Sequence, residues 1–325
     1  MRELNWAVIG CGVIANEMAN ALAPEGRKLC GIANRTLSKA EAFAKKYNVA
    51  KVYKSFDELY QDPAVDIVYI ITPHNTHYRF IKQALLAGKH VLAEKSITLN
   101  IRELDELNAI AESKGLILAE AQTIWHMPLY KKLWSIVDSG ELGKVQIINA
   151  NFGSFKEYDM SNRFFNMELA GGALLDIGVY ALSAVRSFMT SAPDKVLSTE
   201  KPSPTGSDEM SAIAMSNRDG QLAAVTLSMH SKQPKRIIIS CEKAYIEIME
   251  YPRADKAVIV DAQTGERKEI TEGERSKALL YEILDMENAA VSGDKTALKT
   301  ELTRDVMDIM TGLRKDWGLV YPEEI

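Results

Sequence analysis

The sequence predicts an α/β protein: a doubly wound parallel sheet in the N-terminal part, then an α+β domain with a large, mostly antiparallel, open sheet. Over residues 5–122, short apolar runs alternate with amphipathic helical segments, the pattern of a parallel sheet covered by helices on both faces. A glycine-rich turn follows the first apolar run. After residue 122, extended segments that alternate apolar and polar residues replace this pattern, as in a one-sided antiparallel sheet. We therefore divide the chain into residues 1–122 and 123–325.

Composition limits the class of protein. The 325 residues are 46% hydrophobic and carry a formal net charge of −5. No basic cluster is long enough to follow a phosphate backbone, so a nucleic-acid partner is not expected. No apolar run reaches the roughly 18 residues that span a bilayer, and the first strand begins too early to leave room for a signal peptide. Cys11, Cys30 and Cys241 fit neither a disulfide framework nor a metal site. We therefore expect a cytoplasmic protein with no membrane partner and no bound metal.

The first strand, Trp6–Ile9, leads into the turn Gly10-Cys11-Gly12-Val13-Ile14-Ala15 and a helix that ends at Leu22. Gly10 permits a tight turn, Gly12 removes a side chain where a phosphate would approach, and Ala15 lets the helix lie close to the strand. The N–H groups and dipole at a helix start attract anions. A plain tight turn is the alternative to a dinucleotide site. For such a site we expect contacts from Gly10, Gly12, Val13 and Ile14.

The second strand, Leu29–Ala33, ends in Asn34-Arg35-Thr36. In a dinucleotide-binding sheet this position faces the ribose of the adenosine, where a carboxylate would accept from the 2′-hydroxyl. An amide, a guanidinium and a hydroxyl suit a 2′-phosphate instead. We therefore expect Asn34 and Arg35 to favour NADP over NAD. The alternative is that Arg35 is a solvated loop charge and that either cofactor binds.

The remaining elements of this half follow in order along the chain. The apolar, β-branched run Val65–Ile71 is typical of a central parallel strand. The pattern predicts helices at Leu37–Tyr47, Phe56–Tyr60, Tyr78–Ala87 and Asn100–Lys114, and strands at Lys51–Tyr53, Val65–Ile71, His90–Ala93 and Leu116–Ala119.

Two loops at the carboxyl ends of these strands are polar. Thr72-Pro73-His74-Asn75-Thr76-His77 follows Ile71, and Glu94-Lys95-Ser96 follows Ala93. Such loops form the ligand crevice of a doubly wound sheet. Lys95, at the end of a central strand beside this crevice, is poorly placed to serve solubility alone. For His77, packing in the first turn of the next helix is an alternative to contact with a cofactor. The residues from which we expect cofactor contacts are Thr72, His74, Asn75, His77, Glu94 and Lys95.

The second half begins with a helix at Leu129–Ser139 and ends with helices near Lys277–Val291 and Leu302–Trp317. Between them we expect an antiparallel sheet with one open face, which would need a partner, so a homo-oligomer is predicted. Its strands are predicted at Val145–Phe155, Ala212–Met215, Gln221–Met229, Arg236–Cys241, Ala244–Met249 and Ala257–Val260.

One segment of this half carries candidate catalytic residues. Residues 173–187 are apolar enough for a buried helix, and Asp176 and Tyr180 stand four residues apart, on one face of it. A buried carboxylate needs a partner, and Lys95 is the natural candidate. The alternative is that Asp176 caps a helix and Tyr180 belongs to the core. Trp125 and Phe155 are candidate walls for the apolar face of a sugar, although both could be ordinary core residues.

Taken together, these residues resemble the glucose–fructose oxidoreductase / inositol dehydrogenase / MocA (Gfo/Idh/MocA) family over nearly the whole chain. The resemblance implies an N-terminal Rossmann domain and a C-terminal domain whose open sheet mediates dimerisation in many members. Two departures stand out: the family usually has proline where this chain has Ser96, and many sugar and inositol members have histidine where this chain has Tyr180. The tyrosine, with Arg163 and the run Ala170–Asp176, is similar to the branch of dimeric dihydrodiol dehydrogenases and NADP-dependent aldose dehydrogenases.

From this resemblance we expect an NADP-dependent oxidoreductase of a secondary alcohol or carbonyl on a sugar, a sugar derivative or a trans-dihydrodiol. Tyr180 would be the proton-transfer group, and Lys95 would favour its phenolate and bind the substrate oxygen. Asp176 would position Lys95 or a hydroxyl of the sugar. Arg163 joins Trp125 and Phe155 as a candidate substrate contact. The chain would form a homodimer or homotetramer through the C-terminal sheet. The alternatives are an NAD-dependent inositol or amino-sugar dehydrogenase and a non-catalytic NAD(P)-binding regulator.

Overall fold

The computed structural model describes residues 4–324, which form two units. The first contains the chain up to Ala121 together with Leu279–Thr300, and the second contains Gln122–Ala278 and the chain from Glu301 onward. The chain passes from the first unit to the second between Ala121 and Gln122, next to the domain boundary that the sequence pattern indicated after residue 122. The structure adds that Leu279–Thr300 returns to the first unit, whereas the sequence pattern had left it in the second.

The first unit is a six-stranded parallel sheet in the order β3-β2-β1-β4-β5-β6. The strands are β1 (Trp6–Ile9), β2 (Gly31–Ala33), β3 (Lys51–Val52), β4 (Ile67–Ile70), β5 (His90–Glu94) and β6 (Leu118–Ala121). The helices between them are α1 (Val13–Leu22), α2 (Leu37–Tyr47), α3 (Phe56–Gln61), α4 (His77–Leu86) and α5 (Ile101–Ser113). The strand order reverses direction between β1 and β4, which is the switch point where ligands bind in such sheets. The predicted doubly wound parallel sheet is confirmed.

Local sequence explains where two of these helices begin. Asn100 precedes α5, and its side chain accepts from the N–H of Glu103, whose carboxylate accepts in return from the N–H of Leu99. Ser55 and Glu58 make the same reciprocal pair at the start of α3. Such capping boxes satisfy backbone donors that a helix start leaves without partners.

A later helix, α9 (Ala278–Ser292), completes the core of the first unit. Its apolar residues Leu279, Ile283 and Met286 belong to one buried cluster with residues of β1, α1 and α2. An ion pair also holds it: Glu287 accepts from the indole N–H of Trp6 at 2.7 Å and from both terminal nitrogens of Arg27. Helix α9 is therefore held by both apolar packing and charge.

The second unit is an eight-stranded sheet in the order β14-β13-β12-β11-β7-β10-β9-β8. Its strands are β7 (Val145–Gly153), β8 (Pro193–Pro202), β9 (Asp208–Asn217), β10 (Leu222–Ser228), β11 (Gln233–Cys241), β12 (Ala244–Met249), β13 (Lys256–Asp261) and β14 (Arg267–Thr271). The helices are α6 (Thr123–His126), α7 (Pro128–Asp138), α8 (Val179–Arg186) and α10 (Thr300–Trp317). The pair β7–β10 is parallel and the other neighbours are antiparallel.

One face of this sheet is covered and the other is open. On β7, Ile148, Ala150 and Phe152 are buried, and α8 packs across β7, β10 and β11. The opposite face of β7 presents Ile147, which is 37% exposed, and Asn149. The alternation is the one that the sequence predicts for a one-sided sheet.

The helical stretch Met167–Arg186 corrects one expectation. It has 20 residues and a mean hydropathy of 1.4, so by length and composition it passes as a membrane span, contrary to our expectation that no run would. Of its most apolar window, 83% is buried inside the protein. This is the behaviour of a core helix, and it agrees with the buried helix predicted over residues 173–187.

Candidate active site

The turn after β1 shows why two of its positions are glycine. Gly10 has a φ of +105°, and a Cβ there would lie 2.2 Å from the carbonyl oxygen of Ile71. At Gly12, the residue before α1, a Cβ would meet no atom of the described chain within 4 Å. Packing within the protein therefore requires glycine at residue 10. It does not require glycine at residue 12, and there the absence of a side chain is explained by the close approach of a phosphate.

The start of α1 fits a pyrophosphate. Val13 is the first helical residue and is 73% exposed, while Ala15 is fully buried against the sheet. Gly12 offers no side-chain cap to the first N–H groups of the helix, and these donors attract an anion. The predicted roles of Gly10, Gly12 and Ala15 agree with this geometry, and Ile14 is half-buried beside them.

In the loop after β2, the side chain of Arg35 is available to bind an anion. Asn34 turns back, its amide donating to the carbonyl of Thr36 at 3.0 Å. Arg35 is exposed, and within residues 4–324 it makes no hydrogen bond or ion pair. An exposed guanidinium at the carboxyl edge of this strand can bind a 2′-phosphate bidentately.

The loop after β4 supports the loop after β5. His74 is 8% exposed, and its Nε2 lies 3.1 Å from the carbonyl oxygen of Lys95. His77 is fully buried, with Nδ1 2.9 Å from the carbonyl oxygen of Ser96 and Nε2 2.7 Å from that of Thr72. Burial lowers the pKa of the His77 imidazole. The structure therefore favours the packing role for His77 over a contact with cofactor.

These contacts place Lys95 at the carboxyl edge of the parallel sheet. Lys95 is half-buried just beyond the end of β5, and the Lys95–Ser96 peptide bond is cis. Its neighbour Glu94 accepts from the hydroxyl of Tyr69 at 2.5 Å. Thr72 and Asn75 are half-buried in the adjacent loop. The residues predicted to contact the cofactor in the loops after β4 and β5 therefore lie close together. His74 and His77 hold the backbone of Lys95 and Ser96.

The second unit carries Asp176 and Tyr180. Residues Leu174–Gly178 form a π-helical turn, in which the N–H of Val179 donates to the carbonyl of Leu174, and α8 continues from it. Asp176 is 9% exposed, and Arg163 Nη1 lies 3.4 Å from its carboxylate. Sequence analysis named Lys95 as the natural partner of Asp176; within the second unit, that partner is Arg163. A π-turn of this kind often marks a functional site.

Tyr180 is half-buried against an aromatic wall that sequence analysis missed. The ring of Phe152 lies 6.2 Å from that of Tyr180 at an interplanar angle of 39°, and Lys235 stands 5.1 Å from the Phe152 ring. Phe152 is on the covered face of β7, with Ile148 and Ala150. The period-2 pattern of this strand was the signal that could have identified it.

The two aromatic residues predicted from the sequence as substrate walls, Trp125 and Phe155, differ in burial. Trp125 is fully buried, and its indole N–H donates to Thr303 at 3.3 Å, so it is a core residue. Phe155 is 55% exposed beyond the end of β7 and stacks on His230, with ring centroids 5.3 Å apart. Both were predicted as substrate walls: Trp125 takes the core alternative, while Phe155 presents its ring to solvent.

Among residues 4–324, no three His, Cys, Asp or Glu side chains are grouped so that they could hold a metal ion. Burial raises the pKa of the Cys30 and Cys241 thiols to about 11. Each unit thus carries candidate site residues of its own: a dinucleotide-binding edge in the first unit and an Asp–Tyr helix in the second.

A Rossmann sheet with a glycine turn that fits a pyrophosphate defines a dinucleotide-binding protein, and comparisons with known proteins identify it as an oxidoreductase. Residues 4–122 match a family model described as an oxidoreductase family with an NAD-binding Rossmann fold, and residues 130–247 match the GFO/IDH/MocA C-terminal domain. The chain belongs to the Gfo/Idh/MocA family.

Individual relatives cover the chain well. It is 29% identical to trans-1,2-dihydrobenzene-1,2-diol dehydrogenase of Mus musculus, over 99% of both chains. It is 32% identical to the uncharacterized oxidoreductase ORF334 of Rhizobium meliloti, over 70% of this chain and 69% of that one. Among solved structures, the 3-ketoreductase KijD10 of Actinomadura kijaniata, in complex with NADP and TDP-benzene, aligns with a TM-score of 0.85 at 23% identity, over 97% and 98% of the two chains.

Proposed function

We propose that this oxidoreductase prefers NADP and acts on a secondary alcohol or carbonyl of a sugar, a sugar derivative or a trans-dihydrodiol. The observation that carries the proposal is the arrangement in the second unit: Tyr180 beside the Phe152 ring, one helical turn from the Asp176–Arg163 pair. A phenol, an aromatic wall and a neutralised carboxylate suit a neutral, hydroxyl-rich ring with an apolar face. The full-length similarity to a dihydrodiol dehydrogenase supports the same class of substrate.

The chemistry divides between the cofactor and the chain. When bound, NADP supplies the acceptor of a hydride in oxidation and its donor in reduction. Oxidation of the alcohol also releases the hydroxyl proton, which we assign to the Tyr180 oxygen; in reduction the phenol returns it. Asp176 and Arg163 hold hydroxyl groups of the ring, while Phe152 packs on its apolar side.

Lys95 has the second role in the proposal. An ammonium near the reacting oxygen would stabilise negative charge on that oxygen and on the phenolate. His74 and the buried His77 bind the backbone carbonyls of Lys95 and Ser96. The main chain that carries the lysine side chain is therefore held in place. Lys95 and Tyr180 stand on different units, and the proposal rests on what each unit presents by itself.

The test is turnover of NADP and NADPH with a panel of sugars, their keto derivatives and cyclic diols. Tyr180→Phe should keep the fold and NADP binding but lose about 10²–10⁴-fold in turnover, the usual worth of a general acid–base group. Tyr245→Phe is the matched control, since Tyr245 is a half-buried tyrosine of β12 and should retain wild-type turnover. Near-normal turnover of Tyr180→Phe would indicate that Lys95, rather than Tyr180, transfers the proton. Cofactor binding without turnover of any substrate would favour a non-catalytic regulator.

We also propose that the open face of the second sheet joins copies of this chain in a homodimer or homotetramer. Ile147 of β7 is paired with Leu222 of β10, and both side chains are exposed, at 37% and 51%. Neighbouring positions on the same face are small or uncharged, such as Asn149, Ala214 and Ala224. A broad face of this kind is suited to packing against a second sheet.

A further inference from the structure

Asp208, the first residue of β9, is a buried carboxylate with one unusual contact. The residue is 2% exposed, and its Oδ2 accepts from the backbone N–H of Leu174 at 2.6 Å. Its Oδ1 is buried and has no hydrogen-bond partner in the described part of the chain. Gly172 makes room for it: a Cβ on Gly172 would lie 2.1 Å from Oδ1.

The donor, Leu174, opens the π-helical turn that carries Asp176 and leads into α8 with Tyr180. The first N–H groups of a helix lack partners within the helix. Ala173, at the N-cap, supplies no side-chain acceptor. Asp208 therefore caps this helix from another element, and a negative charge is favourable at that end.

This carboxylate is costly for the protein to keep. Burial raises the pKa of Asp208 to about 7, Glu200 on β8 acts in the same direction, and Arg314 on α10 opposes it. Arg314 is already paired with Glu324 at 2.7 and 2.9 Å, and Tyr321 also packs near the group. An asparagine would fill the same space and accept the same bond without a buried charge. Groups retained at a cost in stability often serve function.

We propose that Asp208 is a positioning residue whose ionised carboxylate fixes the first turn of the Asp176–Tyr180 helix and thereby the placement of the reacting phenol. The inference rests on the proposed function for its catalytic consequence, but the cap itself is a property of the fold. Burial favours the neutral acid overall, but protonation removes the charge from the hydrogen bond to Leu174. Because the pKa is about 7, loss of this charge should add an acidic limb near that pH to the profile of kcat.

The experiment compares wild type, Asp208→Asn and Asp208→Ala from pH 5.5 to 9. At pH 8, kcat of Asp208→Asn should be lower by about 3- to 30-fold, the range for weakening one charge-assisted hydrogen bond, and Asp208→Ala should lose more. Below pH 6 the kcat values of wild type and Asp208→Asn should converge, because wild type is then protonated. The thermal midpoint of Asp208→Asn at pH 8 should equal or exceed that of wild type.

Asp261→Asn is the matched control, because Asp261 is an exposed carboxylate that also accepts backbone N–H bonds, from Gln263 and Thr264. It should leave the kcat profile unchanged. An Asp208→Asn enzyme with wild-type kcat and an unchanged acidic limb would overturn the proposal.

A second readout does not need turnover. Hydrogen-exchange protection of residues 173–186, corrected for intrinsic rates, should be lower in Asp208→Ala than in wild type at every pH, with the largest loss next to Leu174. If no substrate is turned over, this pattern still supports the cap while the proposed function fails. Wild-type protection retained in Asp208→Ala would overturn the cap itself.

Discussion

Replacing Glu287 by alanine should weaken the attachment of α9 to the first unit. The Glu287 carboxylate binds the indole N–H of Trp6 at 2.7 Å and Arg27 Nη1 at 3.2 Å, with a further contact to Nη2. Trp6 is 1% exposed, so in Glu287→Ala its N–H would be left without an acceptor. The Arg27 and Glu287 side chains are 16% and 17% exposed, so water can replace only part of the ion pair.

The magnitude follows from these two losses. An orphaned buried donor costs about 1–3 kcal/mol, and a hydrogen bond to a charged group contributes about 1.5–3 kcal/mol. Because water partly replaces the second contribution, we expect Glu287→Ala to lower the free energy of unfolding by about 2–4 kcal/mol, a large fraction of the roughly 5–15 kcal/mol typical of a domain. Glu287→Gln retains an acceptor for Trp6 and should lose about half as much.

The assay is urea unfolding combined with hydrogen exchange of peptides from α9, because a protein with two units need not unfold in one step. The matched control is Glu41→Ala, an exposed helical glutamate of α2, for which alanine is an equally good helix former. A loss of stability in Glu287→Ala that stays within about 0.5 kcal/mol of this control, the usual range for surface substitutions, would refute the reasoning.

Three further predictions follow from the site and the sheet. Arg35→Ala should weaken NADP binding by about 1–3 kcal/mol while NAD binding changes little, as measured by titration calorimetry; equal losses for both cofactors would contradict the assignment. Phe152→Ala, next to Tyr180, should lower kcat/KM by about tenfold, the worth of an aromatic contact, whereas Phe155→Ala should stay near wild type, and the reverse order would place the substrate elsewhere. Light scattering should show self-association at micromolar concentration, and a monomer of 36.1 kDa would disprove the sheet-to-sheet contact.

Elements with strong periodicity could be predicted nearly to the residue. The strands Trp6–Ile9 and Ala244–Met249 and the helix Leu37–Tyr47 have the predicted bounds, because each buries one face or both. The two strands that were missed, β8 and β14, are the two edges of the second sheet. Their sequences are rich in Lys, Arg and Glu, which protects edges from pairing with other chains but removes the apolar alternation that marks a strand.

The residues of the candidate site also differ in how well the sequence could predict them. Gly10, Arg35 and Lys95 could be placed from sequence because each follows directly on a recognisable strand. Asp208 could not, because it acts on Leu174, 34 residues away in the chain, and its contact depends on the fold. Trp125 shows a different limit of sequence analysis: its residue type was compatible with a substrate wall, but the structure places it in the core, fully buried and bonded to Thr303.

The return of α9 to the first unit has a consequence for how the chain is made. The six parallel strands and their first helices leave the ribosome early, but the apolar side of α9 follows only after Gln122–Ala278 has been synthesised. At the roughly 5–20 residues per second of protein synthesis, that delay is on the order of ten to thirty seconds. During this interval the nascent sheet exposes the surface around Trp6 that α9 later covers. Folding of the first unit is therefore completed only after most of the second unit has been translated.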